Sequence, residues 1–268
     1  MRKRIWVLML VLCLACLWGC QEESAPETTI QTQPEALPVA QVELSETYAL
    51  PVKEALLEQN WLLTGAPTLL ITHRLPEDHN VPVILVGGSA QADQVYALAY
   101  NRAQLCSLQA DQLPAMPNGG DLNRDGVITY AVISPTGSGY ADACTAALAE
   151  TGWNVQRLKE ENCLDDQTVG QQVASRILAA YGKDLDVLFC GSEALSMGAA
   201  EAVKDAGRVV SKDLILLTVG QQIPQYSGTV YEDPQTMIDA VLALAEQLHS
   251  GSTPPAQTLI PLTSVINE

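Results

Sequence analysis

Residues 121 to 129 read Asp-Leu-Asn-Arg-Asp-Gly-Val-Ile-Thr. Oxygen side chains at alternate positions, then a glycine and an apolar residue, are how a calcium loop begins. Asp121, Asn123 and Asp125 would offer side-chain oxygens, Val127 its carbonyl and Thr129 its hydroxyl. A loop of this kind closes with an acidic residue at position twelve. Here that position is Val132, which cannot ligate. Calcium takes about 6–8 oxygens, so either the loop binds no metal or the closing carboxylate comes from elsewhere in the chain. Asp186, at the head of another apolar run, is the expected sixth ligand, bidentate or not.

Bringing Asp186 to that loop requires a sheet. "VITYAVIS" (127–134) and "DVLFCGS" (186–192) are continuous apolar runs bounded by turn residues. So are "PTLLITH" (67–73), "VPVILVGG" (81–88) and "DLILLTVG" (213–220). Runs that are apolar on both faces suit the buried centre of a parallel sheet. Amphipathic segments lie between them. In 165–181, Val169, Val173, Ile177 and Tyr181 recur on one helical face. Further segments cover 193–206 and 233–249, the last carrying Ile238, Val241, Leu242, Ala245 and Leu248. Strand, helix and strand in succession predict right-handed crossovers and a doubly wound α/β fold. The Pro-, Gly- and Asn-rich stretch 106–125 breaks this rhythm and reads as a long surface loop at a lobe boundary.

The chain opens Met-Arg-Lys-Arg, runs apolar from Ile5 to Trp18 and reaches Gly19-Cys20. That run is shorter than the roughly 20 residues of a membrane-spanning helix. A basic start, a short apolar stretch and a small residue before a break describe an export signal. With its Cys at the break, segment 1–20 resembles a bacterial lipoprotein signal, which implies lipidation of Cys20 and an extracytoplasmic, membrane-anchored protein. Residues 21–43 are rich in Glu, Thr, Gln and Pro and are expected to form a disordered tether. About 225 residues remain, enough for one large domain or two lobes.

Acidic residues number 31 against 14 Lys and Arg, for a formal charge of −17. Phosphate contacts need clustered basic residues, so nucleic acid is excluded as a partner. With Cys20 lipidated, Cys106, Cys144, Cys163 and Cys190 remain, and four thiols allow three pairings. Cys190 ends an apolar run, and Cys106 and Cys144 sit in helical patterns, so buried thiols and disulfides both stay open.

"GDLNRDGVITYAVIS" (120–134) and "DVLFCGSEALSMGAAEAV" (186–203) together resemble the periplasmic glucose/galactose-binding proteins of ABC transport and chemotaxis. Those are type 1 periplasmic substrate-binding proteins. "LLITHRLP" and "VILVGGSAQAD" are similar to first-lobe strands of that family. The resemblance implies two α/β lobes with a structural calcium ion on the loop. The family has Gln where Thr129 stands and Glu where Asp186 stands. It also implies a monosaccharide held between the lobes by a monomer that serves an ABC permease or a membrane sensor.

Candidate ligand contacts carried over by strand position are His73, Arg74, Ser134, Ser192, Glu193, Gln221 and Glu232. Tyr140, Tyr226 and Tyr231 are the candidates to stack on a sugar. Only about 70 residues separate the tether from the calcium loop, so the first lobe (44–115, joined by 234–268) is expected to be truncated, its opening βαβ units absent. The second lobe (116–233) is expected to be complete. A degenerate scaffold that has lost the sugar and serves as a sensory or protein-interaction lipoprotein is the competing expectation. No nucleophile–base pairing or Gly-x-Ser-x-Gly motif is evident, so an enzyme is not expected.

Overall fold

A computed structural model describes residues 37–90, 92–221 and 223–267. The signal segment 1–20, Cys20 and the tether as far as residue 36 lie outside the described residues. No described helix is long and apolar enough to cross a membrane.

The chain builds two sheets. The first has five parallel strands in the order β1 (Ala40–Glu43), β2 (Leu69–Thr72), β3 (Val83–Val86), β4 (Val95–Tyr100) and β10 (Gln257–Ile260). Helices α1 (Glu46–Glu58) and α6 (Pro234–His249) pack on one face. Val52 and Leu56 meet Met237, Ile238, Val241 and Leu244 there, over Ile71, Ile84 and Leu98. Strand β1 corrects the tether boundary, because residues 40–43 already pair with β2. Ala40 is buried in that core, a fate the polar composition around it obscures. The opening βαβ unit is thus present, as β1–α1–β2. What the lobe lacks is helix in its next two crossovers, since 73–82 and 87–94 join parallel neighbours without one.

The second sheet has six strands in the order β11 (Thr263–Ile266), β9 (Gly228–Tyr231), β8 (Ile215–Val219), β7 (Val187–Cys190), β5 (Ile128–Pro135) and β6 (Val155–Cys163). It is doubly wound, as the apolar runs require. Tyr130, Val132 and Phe189 face α3 (Tyr140–Glu150), whereas Ala131, Ile133 and Leu188 face α4 (Gln167–Tyr181) and α5 (Glu193–Asp205). With both faces covered, every residue from Ile128 to Ser134 is buried. Strand β6 is the edge, and its Arg157, Lys159, Glu160 and Glu161 suit a strand with one free side. Helices α4 and α5 touch through their backbones. A Cβ on Gly198 would come within 2.5 Å of Gln171 N, which explains the glycine in the Met-Gly-Ala sequence.

Two further boundaries shift. Segment 105–120 is not a surface loop: α2 (Leu105–Ala110) and the turns after it bury Leu113 and Met116 in the second-lobe core. Strand β11 also leaves the first lobe and pairs antiparallel with β9. The chain therefore crosses between lobes three times: after β4, between β9 and α6, and between β10 and β11. Cys106 and Cys144 form a disulfide that ties α2 to α3, while Cys163 and Cys190 stay reduced. Burial pushes the Cys190 thiol far up. Replacing Cys106 by Ser is expected to cost about 2–4 kcal/mol, read as a drop in the urea midpoint that reductant alone reproduces in the parent protein.

Candidate functional site

In a parallel sheet the loops that leave the carboxyl ends of the strands share one edge, and ligands of open α/β folds bind there. Both lobes turn that edge to a common cleft of about 510 Å³, within the size range of small-molecule sites. From the first lobe come Tyr48, on the first turn of α1, and Arg102, just after β4. From the second come Asp165 before α4, Ser192 and Glu193 after β7, and Gly220 and Gln221 after β8. Tyr231, Glu232, Pro234 and Leu262 lie at the crossings and form the floor beside the hinge.

Each polar group is set by its neighbours. Ser192 caps α5 by accepting the Leu195 N–H, and its hydroxyl donates to Asp165 Oδ1 at 2.5 Å. Glu193 lies over Gly220, where a Cβ would meet its Cγ at 2.5 Å; the positive φ of 105° there also favours glycine. Arg102 places Nη2 2.7 Å and Nε 2.8 Å from Glu232 Oε1, joining the first crossing to the second. Side-chain exposures of 78% and 38% make this a solvated pair, worth at most about 1 kcal/mol. The Tyr100 hydroxyl donates to the Asp233 carbonyl at 2.6 Å beside it. Burial and the neighbouring Tyr48 hold that phenol protonated, far above its ordinary range.

Four of the seven expected contacts meet in this cleft: Ser192, Glu193, Gln221 and Glu232. The other three do not. His73 accepts the Ser45 N–H at 2.6 Å and stands edge-on to Tyr48, so it braces the start of α1 behind the cleft wall. Arg74 is exposed beyond β2, its backbone N–H bonded to Thr72 Oγ1. Ser134 is fully buried and donates to Asn162 Oδ1 at 2.5 Å. Of the stacking candidates only Tyr231 lines the cleft. Tyr140 is in the core, bonded to Gln109 and the Cys190 carbonyl. Tyr226 is buried as well, its phenol pushed up to about 12, chiefly by burial. Tyr48, Arg102 and Asp165 were not legible, because no motif marks them; a residue just past a strand end was the only available signal.

At the 121–129 loop, Asp186 arrives where the strand order predicts, since β5 and β7 are neighbours. There its carboxylate is held by hydrogen bonds from the loop. Asp186 is 1% exposed. Oδ1 accepts the N–H of Leu122 at 3.0 Å and of Asn123 at 3.4 Å. Oδ2 accepts the N–H of Thr129 at 2.9 Å and its hydroxyl at 2.7 Å. Asp121, Asn123 and Asp125 keep the turn geometry of the loop, accepting N–H groups of Arg124, Asp125, Gly126 and Val127. Thus the first three positions fit a calcium loop, while Thr129 and Asp186 are turned onto each other. Among the described residues no three His, Cys, Asp or Glu side chains gather as a metal site.

No family model matches the sequence, and no curated protein does. Solved structures do match. A periplasmic ribose ABC-transporter protein from Conexibacter woesei superimposes with a TM-score of 0.65 at 14% identity, over 86% of this chain and 92% of that one. An ABC-transporter periplasmic solute-binding protein from Actinobacillus succinogenes, with bound D-allose, gives 0.60 at 13% identity over 86% and 97%. The glucose-galactose binding protein of Geobacillus stearothermophilus gives 0.59 at 16% identity over 87% and 98%. The chain has the type 1 periplasmic-binding-protein fold. Within that fold the cleft lies between the lobes and the three crossings run beside it.

Asp186→Asn is expected to destabilise by roughly 3 kcal/mol, because a donor amide replaces an acceptor beside buried N–H groups; urea unfolding measures it. Chelator or added calcium should leave the parent's melting transition in place, and a calcium-dependent rise would show that Thr129 and Asp186 regroup around the ion.

Proposed function

We propose that the chain is the substrate-binding component of a sugar ABC-transport system, an extracytoplasmic lipoprotein anchored through Cys20 that delivers its ligand to a membrane permease. The observation that carries this reading is the cleft itself: two lobes, joined by three crossings, turn their strand ends to one monosaccharide-sized space. The sugars named for the solved neighbours, allose, glucose, galactose and ribose, supply the ligand class. Tyr48 and Tyr231 offer aromatic faces, and Gln221 and the carboxylates offer acceptors for hydroxyl groups. The chain acts as a monomer and performs no chemistry on its ligand.

The competing reading, a scaffold that serves a sensor or a protein partner without binding sugar, draws on two observations. The cleft's one arginine is committed to Glu232, and two crossovers of the first lobe carry no helix among the described residues. Titration calorimetry against a panel of aldoses decides between them. Binding of at least one sugar is expected, with Tyr231→Ala weakening it about tenfold through loss of ring contact. A folded protein indifferent to the whole panel would falsify the transport reading in favour of the scaffold.

A further inference from the structure

The cleft is electrically one-sided. Three carboxylates line it, Asp165, Glu193 and Glu232, against one cation, Arg102. Arg102 is already spent, since both its Nη2 and Nε point at Glu232 Oε1. Asp165 and Glu193 belong to none of the ion pairs found among the described residues. Each is nevertheless held. The Ser192 hydroxyl fixes Asp165 at 2.5 Å, and the missing side chain of Gly220 gives Glu193 its place. Two carboxylates with no ion-pair partner, at the N-terminal ends of α4 and α5, therefore share a cleft whose other walls include Tyr48, Val219, Val230 and Tyr231.

Walls of low dielectric focus such a field and favour a ligand of opposite sign. An acidic sugar would be repelled. A neutral sugar could donate hydroxyls to the carboxylates but would leave their charge unmatched. A protonated amine matches it, and an aromatic face nearby adds attraction for the cation. Building on the reading of the cleft as a sugar site, we propose that its preferred ligand is an amino sugar, its ammonium group lying between Asp165 and Glu193 and its ring against the tyrosines.

The test is calorimetric titration of the mature chain at pH 6.5 with matched ligands in the galacto and gluco series. These are the free hexosamine, the parent hexose, the N-acetyl hexosamine and the uronate. In at least one series the hexosamine is expected to bind tenfold or more tighter than the hexose. The N-acetyl form, which keeps the nitrogen and loses the charge, should fall back to the hexose or below, and the uronate should give no heat. Asp165→Asn and Glu193→Gln, with melting curves confirming the fold, should each shrink the hexosamine advantage severalfold, as should added salt. Equal or tighter binding of the neutral hexose overturns the charge inference and leaves the sugar reading standing. Failure of every sugar, charged or neutral, overturns both.

Discussion

Burial of parallel strands on both faces is the constraint from which the rest of this structure follows. In β5, β7 and β8 nearly every side chain is committed to one core or the other, so these strands have no surface on which to carry chemistry. Polar groups can appear only where the strands end. All strands of the first sheet and five of the second run in the same sense within their sheets. Each lobe consequently has a single functional edge. The three crossings bring those two edges together, and Arg102, Glu232 and Leu262 sit on or beside the crossings and in the cleft wall at once. Cleft wall and lobe crossings therefore share the same few residues.

The two acidic centres of the second lobe obey opposite rules because of their burial. Asp186 lies in the interior, where an unpaired carboxylate is costly. It is retained because four donors of the 121–129 loop converge on it. The loop's shape and the carboxylate's burial support each other. Asp165 and Glu193 are exposed at the strand ends. Water reaches them there, so they need no internal cation.

The legible parts of the fold were those whose pattern has a direct physical cause. "VITYAVIS" and "DLILLTVG" could only be buried on both faces, and each is a central strand. The four-residue spacing of Val169, Val173 and Ile177 gave α4 to within two residues of its start. The proximity of Asp186 to the loop was expected from the two apolar runs, and the adjacency of β5 and β7 provides it. Strand β6 was missed because Arg157, Lys159 and Glu160 mask an edge strand. Strand β1 was missed because four residues inside a polar stretch carry too little pattern. Segment 105–120 looked exposed because Pro, Gly and Asn dominate it, yet Leu113 and Met116 are anchored in the core and Gln109 and Gln112 reach backbone carbonyls across the sheet.

By itself the sequence determined the α/β class, the apolar strands of the second lobe and the turn at 121–129, because hydrophobic period and local turn chemistry act within a few residues. Only the tertiary structure decided which polar residues share the cleft, which cysteines pair, and where the chain crosses between lobes. Those outcomes depend on distances between residues far apart in the chain: Tyr48 with Tyr231, Arg102 with Glu232, Cys106 with Cys144. Ser134 and Ser192 look alike in the sequence at the ends of two neighbouring strands. The packing of Asn162 over one, and the start of α5 at the other, make the first a core residue and the second part of the site.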